Sequence, residues 1–249
     1  MALRIGFDMD GTLADFGRAF HEVEVRLFGP GPGLSPGQPE KQERNEAHGS
    51  SRHPPAEHRD PAENRIVNPQ QGEGPSPREL RRRRDLVWKA IQSTPNFWSS
   101  LKPVDPEAVR RIHALMLRHQ WEVFFITQRP STEGQTVQRQ TQQWLVEQGF
   151  DLPSALVIGG SRGAAAEALR LNYHVDDSPQ NCLDVISESG AKPILIVSDD
   201  DKTTITSARK LGIGTAMSIG EGLDILESAT LARSKPSVLA RLAQMVGWK

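Results

Sequence analysis

The sequence is poor in the features that mark secreted, membrane and nucleic-acid-binding proteins. Its one cysteine, Cys182, makes an intrachain disulfide impossible, so a reducing compartment is expected. No run approaches the roughly 18 apolar residues of a membrane span, and no signal sequence precedes the first apolar run. The formal net charge of −1 gives no global case for nucleic acid as a partner. These absences predict a cytoplasmic protein that is not bound to a membrane.

One long stretch also lacks the apolar residues that a folded segment needs. Residues 29–77 contain ten prolines, seven glycines and no aromatic residue. Such a stretch cannot bury enough apolar surface to offset its ordering entropy, so a disordered Pro/Gly-rich loop is predicted at about 29–78. Apolar residues at helical spacing predict a helix over 16–28 and another from Glu79. The 249 residues therefore form one large domain or one domain with an insertion.

The start of the sequence contains a short apolar run that ends in two carboxylates. The apolar residues of 3–7 predict a buried strand, and Gly11-Thr12 predicts the tight turn that ends it. Asp8 and Asp10 lie at the end of this strand, where a buried carboxylate must find a partner or lose its charge. We therefore interpret both aspartates as functional.

From about residue 96 onward, short apolar segments alternate with helical patterns. This alternation indicates right-handed crossovers and an α/β fold, with a mostly parallel sheet flanked by helices. The predicted strands after the first are 123–127, 155–158, 173–175, 193–197 and 215–218. Two helices are predicted to begin at Pro106 and at Pro179. Four more are predicted over 137–145, 163–171, 203–211 and 223–231. A last helix is predicted to contain Val238, Leu239, Leu242 and Val246.

In a parallel sheet the carboxyl ends of the strands lie along one edge, so polar groups at strand ends can converge there. Polar groups end four of the predicted strands, in the order Asp8 with Asp10, Thr127, Arg162, and Asp176 with Asp177. Bringing the carboxylates together costs roughly 4 kcal/mol per adjacent pair at an effective dielectric near 20, which a divalent cation would offset. A ligand set of oxygens suits Mg²⁺ better than zinc. The sequence thus predicts a magnesium site formed by the four aspartates.

The segment Asp8-Met9-Asp10-Gly11-Thr12 resembles the first motif of the haloacid dehalogenase (HAD) superfamily, and the other strand ends follow in that family's order. The resemblance covers residues 3 to about 218 and implies a Rossmann-like, HAD-type core. It implies that Asp8 is the nucleophile that forms an aspartyl-phosphate. It implies that Asp10 first protonates the leaving oxygen and then activates water.

The resemblance also implies roles for the later strand ends. Thr127 would hydrogen-bond a phosphoryl oxygen, and Arg162 would stabilise charge on the transferred group. The family most often has lysine where this sequence has Arg162, and arginine can serve with a bidentate grip. Asp176 or Asp177 would bind the metal together with the backbone carbonyl of Asp10, and the sequence leaves open which of the two is the direct ligand.

The family places a cap domain where this sequence has its insertion. The predicted division is a HAD-like core of residues 1–14 and 96–249, with a small helical cap over 15–95 that carries the Pro/Gly-rich loop. Gln128 and Arg129 follow Thr127 in a loop that is expected to touch the substrate. The residues that resemble the cytosolic 5'(3')-deoxyribonucleotidase branch and its bacterial relatives are Phe7 to Phe16, Phe97-Trp98, Thr127 to Pro130, Thr141 and Trp144-Leu145.

Asp10 favours a phosphatase, because dehalogenases need no acid for a halide leaving group and lack a carboxylate there. The favoured interpretation is a Mg²⁺-dependent phosphomonoester hydrolase for a small substrate, with a nucleoside monophosphate as the candidate. One alternative is a phosphatase for a sugar phosphate or a nucleic-acid end, which Arg81 to Arg84 could contact. Another is a non-catalytic binding or regulatory protein that uses the Pro/Gly-rich loop.

Other polar residues receive structural interpretations. Asp199 to Asp201 are expected to form a solvated turn that caps the next helix. His174 is expected to be a core histidine and Cys182 a packing residue. A solvated helix face is the favoured interpretation of Arg81 to Arg84.

Overall fold

The computed structural model describes residues 2–31, 33–36 and 75–234. Within these residues it contains six strands, eight α-helices and one 3₁₀ helix, Phe97–Ser99. The strands are β1 Arg4–Asp8, β2 Glu122–Thr127, β3 Ser154–Val157, β4 Tyr173–Asp176, β5 Lys192–Ile196 and β6 Gly214–Ala216. The α-helices are α1 Phe16–Phe28, α2 Pro77–Gln92, α3 Pro106–His119, α4 Val137–Glu147, α5 Arg162–Ala168, α6 Pro179–Glu188, α7 Lys202–Lys210 and α8 Ile219–Ser234.

The six described strands form one parallel sheet in the order β3-β2-β1-β4-β5-β6. The first strand therefore lies in the centre, with Phe7 opposite Phe125 on one side and Val175 on the other. Ile5 and Phe7 are completely buried, as expected for a strand covered on both faces of the sheet. The predicted α/β fold is confirmed, and the ends of β1, β2 and β4 lie side by side.

Local sequence explains where the helices begin. Asp105 accepts hydrogen bonds from two backbone amides of α3, and Pro106 occupies its first turn. Ser178 accepts a hydrogen bond from the backbone amide of Asn181, and Pro179 occupies the first turn of α6. These pairs follow the preference for an acceptor side chain at the N-cap and proline just after it. The predicted helix starts at these two prolines are confirmed.

The helices α1 and α2 pack against each other beside the sheet. Phe16 and Phe20 of α1 contact the ring of Trp88 of α2, with ring centroids 5.4 and 5.8 Å apart. The backbone amide of Leu34 donates to the buried carboxylate of Glu24, which attaches residues 33–36 to α1. The helices of the predicted cap are thus present, while the domain division itself stays a prediction.

Two predicted segments lie wholly or mostly outside the residues that the structure describes. Most of the predicted loop at 29–78 and the predicted last helix around Val238 lie outside the described residues. Ile186 of α6 is 37% exposed, whereas Cys182 and Val185 of the same helix are completely buried. None of the described helices is long and apolar enough to cross a membrane.

Candidate active site

The polar strand ends meet around a cavity of about 1340 Å³ between the sheet edge and the helices α1 and α2. Its wall includes all four predicted metal ligands, both candidate arginines and Gln128. The lining residues are Asp8, Asp10, Phe16, Ser35, Asp85, Trp88, Lys89, Gln92, Trp98, Gln128, Arg129, Pro130, Ile158, Gly159, Arg162, Asp176, Asp177, Ser178 and Asn181. Residues more than 150 positions apart in the sequence therefore share one space.

Asp8 and Arg162 form a buried ion pair at the base of the cavity. Arg162 Nη2 donates to Asp8 Oδ1 at 2.5 Å, and both side chains are at most 6% exposed. Ser161 caps α5 and places Arg162 in its first turn. Arg162 Nη1 and Nε donate no hydrogen bond to any described residue, although Nε lies 3.7 Å from Asp176 Oδ2. The guanidinium therefore retains donors for an anion beside Asp8.

Asp10 has different partners. Its Oδ2 accepts a hydrogen bond from the hydroxyl of Thr127 at 3.0 Å. Its two oxygens also accept from Arg129 in a bidentate arrangement, with Nη2 to Oδ1 at 2.6 Å and Nε to Oδ2 at 2.8 Å. The Asp10 side chain is 19% exposed and faces the cavity. Sequence reasoning placed Arg129 near the substrate but gave no sign of this pairing.

Asp176 is held deep in the site by several donors. Its oxygens accept from the backbone amide of Ser178 at 2.8 Å and from the side-chain amide of Asn181 at 3.1 Å. His174 Nε2 lies 2.9 Å from Asp176 Oδ2, and both side chains are completely buried. His174 is a core histidine as predicted, but it also fixes the orientation of a predicted metal ligand.

Asp177 lies at the mouth of the cavity against the first motif. Its Oδ1 accepts from the hydroxyl of Thr12 at 2.9 Å. Gly11 has φ +87°, and a Cβ added there would collide with the Asp177 carboxylate. The glycine is therefore required twice, once for its backbone conformation and once for the space beside Asp177. This explains why the turn after Asp10 contains Gly11-Thr12.

Asp8, Asp176 and Asp177 together fit a divalent cation. One oxygen from each carboxylate lies within 4.8 Å of the others. Burial, and next the Asp176 carboxylate, raise the pKa of Asp8 well above its usual value, while Arg162 opposes the shift. Burial and Asp176 likewise raise the pKa of Asp177 to about 6. Three crowded carboxylates, among which Asp8 and Asp177 have raised pKa values, are a suitable oxygen set for Mg²⁺.

The crowding predicts how pH and Mg²⁺ affect stability. A raised pKa means that the folded chain keeps protons that the unfolded chain has lost, so without metal the fold loses stability as pH rises from about 4 through 6. Mg²⁺ needs the ionised carboxylates. At about 100 times its dissociation constant, it should raise the melting temperature by roughly 5–10 °C at about pH 8.

The measurement is thermal unfolding with Mg²⁺ or with EDTA, at about pH 5 and at about pH 8. The gain should shrink to about 1 °C or less near pH 5, because protons then compete with the metal for the carboxylates. Asp177→Asn should reduce the gain at the higher pH. An equal gain at both pH values would rule out binding through these groups.

The structure brings together six of the residues singled out from the sequence, namely Asp8, Asp10, Thr127, Arg162, Asp176 and Asp177. Asp201 caps α7 and is exposed, and Cys182 is buried, as predicted. Within the described residues the cavity wall includes none of Arg81 to Arg84, and Arg83 pairs with Glu79 on the helix surface. Thr12 belongs to the first motif, but its hydrogen bond to Asp177 was not predicted, and no motif marks the supporting residues Trp88 and Asn181.

No protein-family model and no curated protein matches the sequence. The fold is similar to that of a Thermotoga maritima protein assigned as a β-phosphoglucomutase, with 19% identity, coverage of 91% of this chain and 99% of that chain, and a TM-score of 0.50. A HAD hydrolase of family IA, variant 3, from Entamoeba histolytica HM-1:IMSS also matches, with 14% identity, coverage of 89% and 95%, and a TM-score of 0.42. A 2-haloacid dehalogenase from Pseudomonas syringae pv. Tomato DC3000 matches with 13% identity, coverage of 94% and 100%, and a TM-score of 0.40.

At 19% identity the first likeness concerns the fold alone. The deoxyribonucleotidase branch suggested by the sequence stays a prediction. The sheet order, with the first strand central and the polar strand ends beside it, agrees with the fold implied by the sequence. The chain therefore has a HAD-type α/β fold, a Rossmann-like parallel sheet flanked by helices.

Proposed function

We propose that the protein is a Mg²⁺-dependent phosphomonoester hydrolase that works through an aspartyl-phosphate on Asp8. The observation that carries this proposal is the surroundings of Asp8. Its carboxylate lies at the base of a cavity beside Arg162, whose Nη1 and Nε have no hydrogen-bond acceptor among the described residues. A phosphoryl group bound beside Asp8 and Arg162 would satisfy these donors. A buried arginine with unused donors otherwise carries an uncompensated desolvation cost.

In the first step, an oxygen of Asp8 attacks phosphorus while the bond from phosphorus to the ester oxygen breaks. Asp10 donates a proton to the departing oxygen, which leaves as an alcohol. In the second step, Asp10 takes a proton from a water that attacks the acyl-phosphate, so that Asp8 and inorganic phosphate are released. Arg162 holds the equatorial oxygens through both steps.

Asp8, Asp176 and Asp177 would hold the metal ion. When bound, Mg²⁺ supplies the positive charge that lets these carboxylates and a phosphate dianion occupy one site. Arg162 alone does not supply enough positive charge, since burial and Asp176 keep the pKa of Asp8 raised although Arg162 lies beside it. Asp176 is oriented for this role by His174 and Asn181.

A nucleoside monophosphate is the substrate class that the cavity supports best. Phe16 of α1 and Trp88 of α2 line the cavity, and their ring centroids are 5.4 Å apart. Aromatic rings of this kind stack on bases, at about 1–3 kcal/mol per base. Asp85, Lys89 and Gln92 of α2 add polar groups to the same wall. A nucleic-acid end is less well supported, because the arginines of 81–84 are not on the cavity wall that the structure describes.

The test measures hydrolysis of 4-nitrophenyl phosphate, nucleoside 5'-monophosphates and sugar phosphates with Mg²⁺ and with EDTA. We expect turnover in Mg²⁺ alone and a higher kcat/KM for nucleotides than for sugar phosphates. Phe16→Leu should lower kcat/KM for nucleotides by roughly 5- to 100-fold, which corresponds to the loss of one stacking partner. The same variant should leave the sugar phosphates within about twofold.

The results separate the three classes of function. No Mg²⁺-dependent turnover of any ester would favour a binding protein on this fold. Mg²⁺-dependent turnover with a preference for sugar phosphates that Phe16→Leu does not change would support the phosphatase proposal. The same result would refute the nucleotide as the preferred substrate.

A further inference from the structure

Among the described residues, two arginines line the same cavity, but their hydrogen bonds differ. Arg162 retains donors that no described residue accepts. Arg129, in contrast, donates from all three nitrogens: Nε and Nη2 to Asp10, and Nη1 to the hydroxyl of Thr141 at 3.0 Å. Its side chain is completely buried. The guanidinium has five N–H groups, of which one on Nη1 and one on Nη2 are left, but a phosphate that occupied the fork of Nε and Nη2 would have to displace the Asp10 carboxylate.

The protein holds Arg129 in place from its other sides. The guanidinium carbon lies 4.8 Å from the ring centroid of Trp98, a cation–π distance. The indole nitrogen of Trp98 donates to the carbonyl of Pro130 at 3.0 Å, and its backbone amide donates to the buried side chain of Gln140 at 3.0 Å. The hydroxyl of Thr141 in turn donates to the carbonyl of Val137 at 2.8 Å. Arg129 is thus fixed by α4 and by the 3₁₀ helix at Phe97–Ser99.

We infer that Arg129 is a positioning residue that fixes the carboxylate of Asp10 for proton transfer, and that it does not bind the substrate's phosphate. The bidentate fork fixes the plane of the carboxylate. The exposed part of Asp10 then faces the cavity beside Asp8. This inference rests on the proposed function, since it needs an ester oxygen for Asp10 to protonate. It assigns to Arg129 a role other than the substrate contact predicted from the sequence.

The role can be tested through the leaving group. 4-Nitrophenolate departs without help from an acid, whereas an alkoxide needs a proton in the transition state. We would measure kcat/KM for 4-nitrophenyl phosphate and 2-phenylethyl phosphate, and the inhibition constant of inorganic phosphate. The variants are Arg129→Gln, Asp10→Asn and their double, with Arg110→Gln as a control on the exposed face of α3.

Arg129→Gln should lower kcat/KM for the alkyl ester by about 10²-fold and for the aryl ester by about fivefold or less. The inhibition constant of phosphate should stay within about threefold. The double variant should be no slower than Asp10→Asn alone, because the effect of Arg129 passes through Asp10. Arg110→Gln should match the wild type.

Three results would overturn the inference: equal losses for both esters, a phosphate inhibition constant raised about tenfold or more, or multiplied losses in the double variant.

If Arg129→Gln does not fold, Thr141→Val removes one support of Arg129 without leaving a buried charge unpaired. It should show the same alkyl-selective loss, smaller in size, and Thr141→Ser should restore the rate; absence of that pattern would also refute the role. An inactive wild type would instead refute the proposed function, and this inference with it.

Discussion

Asp8→Asn is expected to lower kcat for any phosphate ester by at least about 10⁴-fold, the scale seen when a nucleophile is removed. An asparagine amide is not a nucleophile that can form an acyl-phosphate, and Asp8 is the carboxylate nearest Arg162. Neighbouring acids are not expected to replace it, because both oxygens of Asp10 accept hydrogen bonds from Arg129, and His174 and Asn181 hold Asp176 in the orientation proposed for metal binding.

The same variant should not unfold the protein. Burial and Asp176 raise the pKa of Asp8, so the ionised group destabilises the metal-free fold at neutral pH. Asparagine removes that charge and still offers its oxygen to Arg162. In EDTA, Asp8→Asn should therefore melt no lower than the wild type, by calorimetry or circular dichroism. Retention of more than about 1% of wild-type kcat in a folded variant would refute Asp8 as the nucleophile.

Arg162→Gln is expected to lower kcat/KM by about 10³-fold and to raise the inhibition constant of inorganic phosphate at least about tenfold. Arg162 Nε and Nη1 donate to no described residue and are therefore left for a phosphoryl group. Arg162→Lys restores the charge but not the fork, so it should lose only about tenfold to 10²-fold. These constants come from steady-state kinetics on 4-nitrophenyl phosphate with saturating Mg²⁺.

The two cavity arginines act as controls for each other. Arg129→Gln should spare phosphate inhibition while Arg162→Gln weakens it, although both remove one buried guanidinium from the same wall. Weaker phosphate binding in both variants would mean that general loss of positive charge in the cavity is responsible. Unchanged phosphate inhibition in Arg162→Gln would contradict its role.

The fold was predictable because its signals are local and repeated. Apolar runs such as that of β1 give strands, and pairs such as Asp105-Pro106 give helix starts. Parallel strands then bring their ends together, so the sequence alone predicts Asp8 and Asp177 in one site. Contacts between residues far apart in the sequence could thus be predicted from short sequence patterns.

The supporting contacts were not predictable in this way. Arg129 lies two residues after Thr127 and donates to Asp10. This contact depends on the path of a loop and on the Thr141 hydroxyl of α4. The hydrogen bond from Thr12 to Asp177 forms only when Gly11 adopts the positive φ of its turn. Contacts of this kind depend on side-chain geometry in the assembled fold, which residue spacing does not encode.

The most direct test of the proposed mechanism is mass spectrometry of protein quenched in acid during turnover of a phosphate ester with Mg²⁺. The tryptic peptide Ile5–Arg18 contains Asp8, Asp10 and Asp15. We expect it to gain the mass of one phosphoryl group, with fragmentation placing that group on Asp8, and we expect no gain in Asp8→Asn. A phosphoryl group on another residue, or turnover without any modified peptide under conditions that trap acyl-phosphates, would contradict Asp8 as the nucleophile.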